Sequence, residues 1–325
     1  MSTPPIVDVQ NLRKDYGEFT AVGGVNFSIE EGEVFGLLGP NGAGKTTTLH
    51  MLATLLRPTS GTAKVNGYDI LDQPGKVRKS IGMVFQEPSS DDLLTGYENL
   101  RMHGLLYGVP TDSREKRIRE VLELVDLTDR KDDLVKRYSG GMRRRLEIAR
   151  GLMHNPKVLF LDEPTLGLDP QTREHIWKYV ERLVVEQKIS IILTTHYMDE
   201  ADRLCDRIAI VDRGKIVVHD SPESLKHALG GDIIRLQISN PRLEVIKALP
   251  FVKKVEVHDA TVSLTVEDAS SHLQEILGMI GKVDGVELRP PSLNDVFLHY
   301  TGRVYREAEA EGGFWQRIMT AEARR

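Results

Sequence analysis

The sequence predicts an α/β protein: a parallel sheet covered by helices on both faces, followed by a smaller α+β unit. Two observations point there. Val34–Leu38, Val158–Leu161, Ile189–Leu193 and Ile208–Val211 are short apolar runs without alternation, as expected of strands buried on both faces. Longer stretches of helical periodicity separate them. After Gly230-Gly231 the pattern changes to strict alternation, which marks half-buried strands.

Taken in order, Val34–Leu38 is a buried strand and Thr46–Leu56 a helix with Leu49, Leu52 and Leu56 on one side. Arg114–Asp126 shows one helical face through Ile118, Val121, Leu122 and Val125; a second passes through Met142, Leu146, Ala149 and Met153. Arg173–Gln187 has room for a crossover helix between two strands. Asp212-Arg213-Gly214-Lys215 reads as a turn into a strand at Ile216–His219, and Ser221-Pro222-Glu223 as a capped helix start. Beyond it come a strand at Asp232–Ser239, a helix at Arg242–Leu249 and a strand through Val255 and Val257. After the turn His258-Asp259-Ala260 follow a strand through Val262, Leu264 and Val266, a helix through Leu273, Ile276, Leu277 and Ile280, and a strand begun by Val286 and Leu288. That order is the split βαβ, ferredoxin-like arrangement. The expected domains are residues 1–230 and 231–302, with a loosely ordered tail at 303–325.

Composition narrows the function. The 325 residues suffice for about two domains. Hydrophobic residues at 40 % and charged residues at 28 % suit a globular protein with a core. A net charge of −5 and a pI near 6.1 argue against nucleic acid as a partner. Cys205 is the sole cysteine, which excludes an intrachain disulfide and fits a reducing cytosol. No apolar run approaches the ~18–20 residues that cross a bilayer.

Three motifs carry chemistry. Gly39-Pro40-Asn41-Gly42-Ala43-Gly44-Lys45-Thr46 follows a strand and opens a helix, so glycine-exposed amides and a helix N-terminus face one point. Such a P-loop cradles phosphates, with Lys45 on the β- and γ-phosphates and the Thr46 hydroxyl on Mg²⁺. Asp162 and Glu163 close the strand Val158–Leu161 and point opposite ways; Asp162 suits the Mg²⁺ shell and Glu163 an attacking water. Alone, the pair would equally serve as an acidic helix cap. Tyr138-Ser139-Gly140-Gly141-Met142 opens another helix and offers a second anion site, or a plain helix start. The run Arg143-Arg144-Arg145 after it could be only a solvated face.

These motifs, in this order, resemble the nucleotide-binding subunit of an ATP-binding cassette (ABC) transporter, over about Ile6 to Gly230. The resemblance implies a P-loop ATPase domain with a helical signature subdomain, using ATP and Mg²⁺. It assigns Tyr16 to adenine stacking, Gly39 to Thr47 and Ser139 to Gly141 to the phosphates, and Asp169, beside Leu168, to the D-loop. Gln86 becomes a contact of Mg²⁺ or water, Glu163 the catalytic base and His196 a switch beside the γ-phosphate. Tyr138 and Met142 depart from the commoner leucine and glutamine, while Ser139 and Gly141 remain, so turnover is expected. The segment Leu93–Leu100 and the ending Pro291–Phe297 are most similar to daunorubicin/doxorubicin-exporter ATPases. The expected partners are a second copy, stacked head to tail, and a separate membrane permease met by Pro88–Leu100, at the cytoplasmic face of the membrane. An importer ATPase and a soluble mechanochemical ATPase are the alternatives. The region Asp232–Pro290 could sense a ligand or brace a dimer.

Overall fold

The computed structural model describes residues 4–238, 246, 248–258, 261–280 and 283–302. They form two compact units, one running to His219 and the other beginning at Asp220.

In the first unit, β1 (Val7–Tyr16) and β2 (Phe19–Ile29) make a hairpin. With β4 (Ser60–Val65) and β5 (Tyr68–Asp69) they form an antiparallel sheet in the order β2-β1-β4-β5. The second sheet contains β3 (Val34–Leu38), β6 (Ile81–Val84), β7 (Val158–Asp162), β8 (Ser190–Thr195), β9 (Arg207–Asp212) and β10 (Lys215–Asp220). Its order is β10-β9-β3-β8-β7-β6, and β9 through β6 run parallel. Every residue of β3, β7 and β8 is buried, which is why these runs show no alternation. Phe27 stacks on Phe35 at 5.1 Å and helps join the sheets into one core.

Helix α1 (Lys45–Leu52) follows β3 and ends four residues short of the Leu56 expected from its apolar face. Helix α2 (Pro74–Ser80) precedes β6. The helical layer comprises α3 (Gly96–Leu106), α4 (Thr111–Leu124) and α5 (Gly140–Leu152). A Thr95/Glu98 capping box starts α3 and Ser139 caps α5, each satisfying amides that a first turn leaves unpaired. Helix α6 (Pro170–Gln187) crosses over to β8, and α7 (Met198–Leu204) follows β8.

The second unit holds α8 (Pro222–His227), β11 (Asp232–Gln237), β12 (Val252–His258), β13 (Thr261–Val266), α9 (Ala269–Ile280), β14 (Gly285–Arg289) and α10 (Leu293–Thr301). Its antiparallel sheet runs β12-β13-β11-β14, the strand order of a ferredoxin-like unit. Ile234, Leu236, Val262, Leu264 and Val266 line its core against Ile276 and Ile280. Val286 and Leu288 begin the expected fourth strand yet stay exposed at its edge. Because α8 packs on α10, the division expected at residue 230 falls inside this unit. The expected helix over 242–249 lies outside the described residues, save Ile246, Ala248 and Leu249. Most of the turn 258–260 and the tail 303–325 lie outside them too.

In the helical layer, His103 stacks on Tyr107 at 4.7 Å, and Tyr107 on His154 at 4.0 Å. Burial, helped by Arg150 and His154 and opposed by Glu147, pushes His103 from 6.5 down to about 4. As pH falls the unfolded chain binds this proton first, so stability is full above the unfolded value and is lost on going from 6.5 toward 4. Each pH unit in that window removes up to about 1.4 kcal/mol. His103→Phe should flatten this acid limb when urea midpoints are plotted against pH; parallel limbs would show that His103 is not its source.

Candidate functional site

All the chemistry-bearing segments of the first unit except the Ser139 loop and Tyr16 leave the C-terminal edge of the parallel strands. There, strand ends lead into helix N-termini and their unpaired amides. The loop after β3 reaches α1 through Gly44, the N-cap, at a left-handed φ of 105°. A Cβ on Gly44 would lie 2.5 Å from the Ala21 carbonyl, so backbone conformation and close approach both require glycine. The amide of Gly214, in the β9–β10 turn, donates to the Ala43 carbonyl at 2.9 Å and buttresses the loop. Within the loop, Ala43 N–H donates to the Pro40 carbonyl, while Asn41 and Gly42 form the exposed tip. Thr46 is half-buried and Thr47 buried in the first turn of α1.

Lys45 is only 4 % exposed. Its Nζ donates to the carbonyls of Gly39 at 2.7 Å and Pro40 at 3.1 Å, and lies 3.5 Å from Glu163 Oε1. Burial lowers its pKa, and Glu163 and Asp162 oppose that shift. Asp162 Oδ1 accepts from the hydroxyls of Thr46 at 2.9 Å and Thr194 at 2.6 Å. A hydroxyl and a carboxylate side by side are hard oxygen ligands, the donor set that Mg²⁺ takes. The Nε2 of His50 stands 3.8 Å from Asp162 Oδ2, and burial lowers this imidazole's pKa.

Glu163 follows the end of β7 and has different partners. Its Oε2 is 3.2 Å from His196 Nδ1, and both side chains are buried. Burial alone would raise the Glu163 pKa, but His196 and Lys45 outweigh it and hold the carboxyl below its ordinary value. The backbone at Glu163 is left-handed, with φ 45°, which costs a residue with a Cβ about 1–2 kcal/mol. Anchors on both sides enforce it. Glu163 N–H donates to the carbonyl and hydroxyl of Thr194, at 3.1 and 3.0 Å, and Arg144 Nη2 donates to the Glu163 carbonyl at 2.9 Å.

Arg144 is a functional residue that the sequence reading left on a solvated face. It is 6 % exposed and also donates to the carbonyls of Phe85 at 2.6 Å and Gln86 at 3.2 Å. One guanidinium thus ties α5 to the segment after β6 and to the end of β7. Its position four residues before buried Ile148, on the same helical stripe, was the available signal. Gln86 itself is exposed, and among the described residues no hydrogen bond joins its side chain to Thr46 or Asp162.

Ser139 and Gly140 are exposed at the start of α5, where the Ser139 hydroxyl accepts from Met142 N–H at 3.2 Å. A Cβ on Gly141 would lie 2.4 Å from Thr172 Cγ2, so the glycine lets the start of α5 pack on the start of α6. There Asp169 caps α6, taking both the amide and the hydroxyl of Thr172. Among the described residues, no hydrogen bond links Ser139, Gly140, Gly141 or Asp169 to Lys45, Asp162, Glu163 or His196. Tyr16 ends β1 half-buried, with Lys14 Nζ 5.1 Å from its ring centre.

A phosphate cradle, a hydroxyl–carboxylate pair for a hard cation and a second carboxylate beside an imidazole are needed together by a P-loop nucleoside triphosphatase. Comparison with known proteins narrows that class. The family described as ABC transporter matches residues 22–166, and the C-terminal domain of DrrA1-3-like ATP-binding proteins matches 221–301. The linearmycin resistance ATP-binding protein LnrL of Bacillus subtilis is 39 % identical, covering 93 % of this chain and 100 % of its own. The daunorubicin/doxorubicin resistance ATP-binding protein DrrA of Streptomyces peucetius is 41 % identical, covering 93 % and 94 %. Among solved structures, the dimeric ATP-binding cassette MJ0796 bound to ADP and phosphate is 30 % identical, with a TM-score of 0.60 over 66 % of this chain and 98 % of that one. The chain therefore belongs to the ABC transporter ATP-binding proteins, in the DrrA-like drug-resistance group, and is an ATPase.

Arg144→Leu would strand the buried Glu163 carbonyl and remove the bonds to the part-buried Phe85 and Gln86 carbonyls. It should cost about 2–4 kcal/mol in urea unfolding. Arg144→Lys, with a point charge in place of a fork, should recover less than half of that. A stability change under about 0.5 kcal/mol would mean that the guanidinium does not hold these segments.

Proposed function

We propose that this chain powers a drug or lipid exporter by ATP-driven, head-to-tail pairing of two copies. The observation that carries the reading is the separation of two phosphate-binding surfaces. The P-loop gathers Lys45, Asp162, Glu163 and His196 into one buried cluster, whereas Ser139–Gly141 is exposed and shares no hydrogen bond with it. A second copy, turned about a two-fold axis, would bring its Ser139 hydroxyl and the unpaired first-turn amides of its α5 to the outer phosphate. The dimeric form of the similar MJ0796 cassette supports this. We take the two domains as residues 1–219 and 220–302 in place of the expected 1–230 and 231–302, because α8 packs within the second unit.

In this mechanism the Lys45 ammonium exchanges its loop carbonyls for the β- and γ-phosphates, and the loop amides hold the remaining oxygens. Tyr16 stacks on the base. Thr46 and Asp162 would hold Mg²⁺, which would offset phosphate charge when bound, with Gln86 as a further contact of metal or water; Asp169 borders the shared interface. Glu163, ionised because His196 and Lys45 favour its charged form, orients a water and takes its proton as the oxygen attacks the γ-phosphorus. The bond to the β–γ bridging oxygen breaks, ADP keeps the electron pair, and phosphate leaves. His196 keeps the carboxylate aimed. Loss of the γ-phosphate removes the link to the opposing Ser139, and the copies part.

Glu163→Gln should lower hydrolysis by about 10²–10⁴-fold and still form ATP-dependent dimers in light scattering. Ser139→Arg should abolish both pairing and hydrolysis. A Ser139→Arg protein with full activity would show that the pocket is not shared.

No helix among the described residues is long and apolar enough to cross a membrane, so a separate permease must receive the motion. The surface fitted to it is the exposed apolar row of Leu93 (74 % exposed), Leu105 (53 %) and Leu106 (75 %), on and just before α3. It begins within the expected Pro88–Leu100 segment and continues past it. On this reading the chain acts peripherally, on the cytoplasmic face. Leu93→Glu with Leu106→Glu should keep basal ATPase and lose association with a co-expressed permease in membrane fractions; unchanged association would exclude this row.

A further inference from the structure

Glu200 in α7 has no solvent exposure, and among the described residues no lysine, arginine or histidine forms an ion pair with it. Its Oε1 accepts from the Thr165 hydroxyl at 2.7 Å and from Trp177 Nε1 at 3.0 Å. The Thr195 side chain faces the same carboxyl, while Oε2 has no partner in hydrogen-bond geometry. Burial raises its pKa, as expected where an ionised carboxylate would be costly. In its neutral form the group has one double acceptor and one O–H donor.

The partners matter more than the burial. Thr165 lies two residues after Glu163, Thr195 lies one before His196, and Trp177 sits on α6, which Asp169 caps. A single carboxyl therefore bonds the segment after the proposed base to α6 and lies beside the strand end that leads to His196. We infer that Glu200 is a positioning residue for hydrolysis, holding Glu163 at the spacing from His196 that aims the carboxylate at water, by tying Thr165, two residues after Glu163, to Trp177 of α6. This rests on the assignment of Glu163 and His196 to hydrolysis. A core residue with no such part would affect only stability.

The test uses the full chain, with kcat and KM for ATP hydrolysis and a separately measured Kd for ATP. Glu200→Ala should lower kcat at least about tenfold with Kd within about twofold, at a temperature where the variant is folded. Glu200→Gln keeps an acceptor and a donor without charge. It should recover kcat to within about threefold of the parent and keep the same pH–rate profile between about pH 6 and 9. If Glu200→Ala does not fold, Thr165→Val removes one hydroxyl at nearly constant volume and should lower kcat with Kd unchanged. Parental kcat per bound ATP in Glu200→Ala or Thr165→Val, or a Gln variant as slow as Ala, overturns the inference. Glu163→Gln and His196→Ala run alongside separate the two readings. If both are inactive while the Glu200 variants are normal, only the positioning role falls; if both hydrolyse normally, the hydrolytic pair is misassigned and the positioning role falls with it.

Discussion

Two consecutive carboxylates buried at the end of one strand set the terms for the rest of the site. Asp162 and Glu163 are 2 % and 6 % exposed, and two adjacent negative charges out of water would be prohibitive without separate compensation. Different partners answer them. Asp162 receives hydroxyls from Thr46 and Thr194, and Glu163 receives Lys45 and His196. These partners come from two other segments, the start of α1 after β3 and the end of β8, so the compensation works only if β3, β8 and β7 are in register. Asp162 lies opposite Thr194, and Leu38 opposite Thr195, in the parallel ladder. Charge neutralisation and sheet topology are thus one constraint.

Arg144 extends that constraint outward. Its guanidinium is a direct polar tie between the helical layer and the strand ends, with the Phe85, Gln86 and Glu163 carbonyls all on one fork. Glu147 of the same helix adds a second, accepting from the Ser89 hydroxyl and the Ser90 amide after β6. A displacement of α5 relative to the sheet must break or drag these bonds, and the Arg144 share of them passes through a rigid planar group.

Legibility in the sequence followed burial. Four of the five parallel strands stood out because both faces are covered, and the second unit because one face is; β6, four residues long with a glycine in it, did not. The N-terminal antiparallel sheet went unread: β1 carries bulges between Val9 and Leu12 and again beyond, which break the alternation that would have marked it. The P-loop and Asp162–Glu163 were visible because their chemistry fixes residue type and spacing. Thr194, Arg144 and Glu200 were not, because a hydroxyl in a strand, an arginine among arginines and an acid in a short helix have no local signature. They gain meaning only from tertiary neighbours.

The left-handed backbone at Glu163 has a consequence for how this protein can vary. A glycine there would relax the main chain by about 1 kcal/mol, and asparagine would sit more comfortably than glutamate. Either change would also take away the carboxylate 3.5 Å from the buried Lys45 ammonium, and stranding a buried charge costs about 3–5 kcal/mol, more than the relief. The awkward main chain is therefore kept in place by the charge it carries, and drift toward an easier backbone residue is closed at this position.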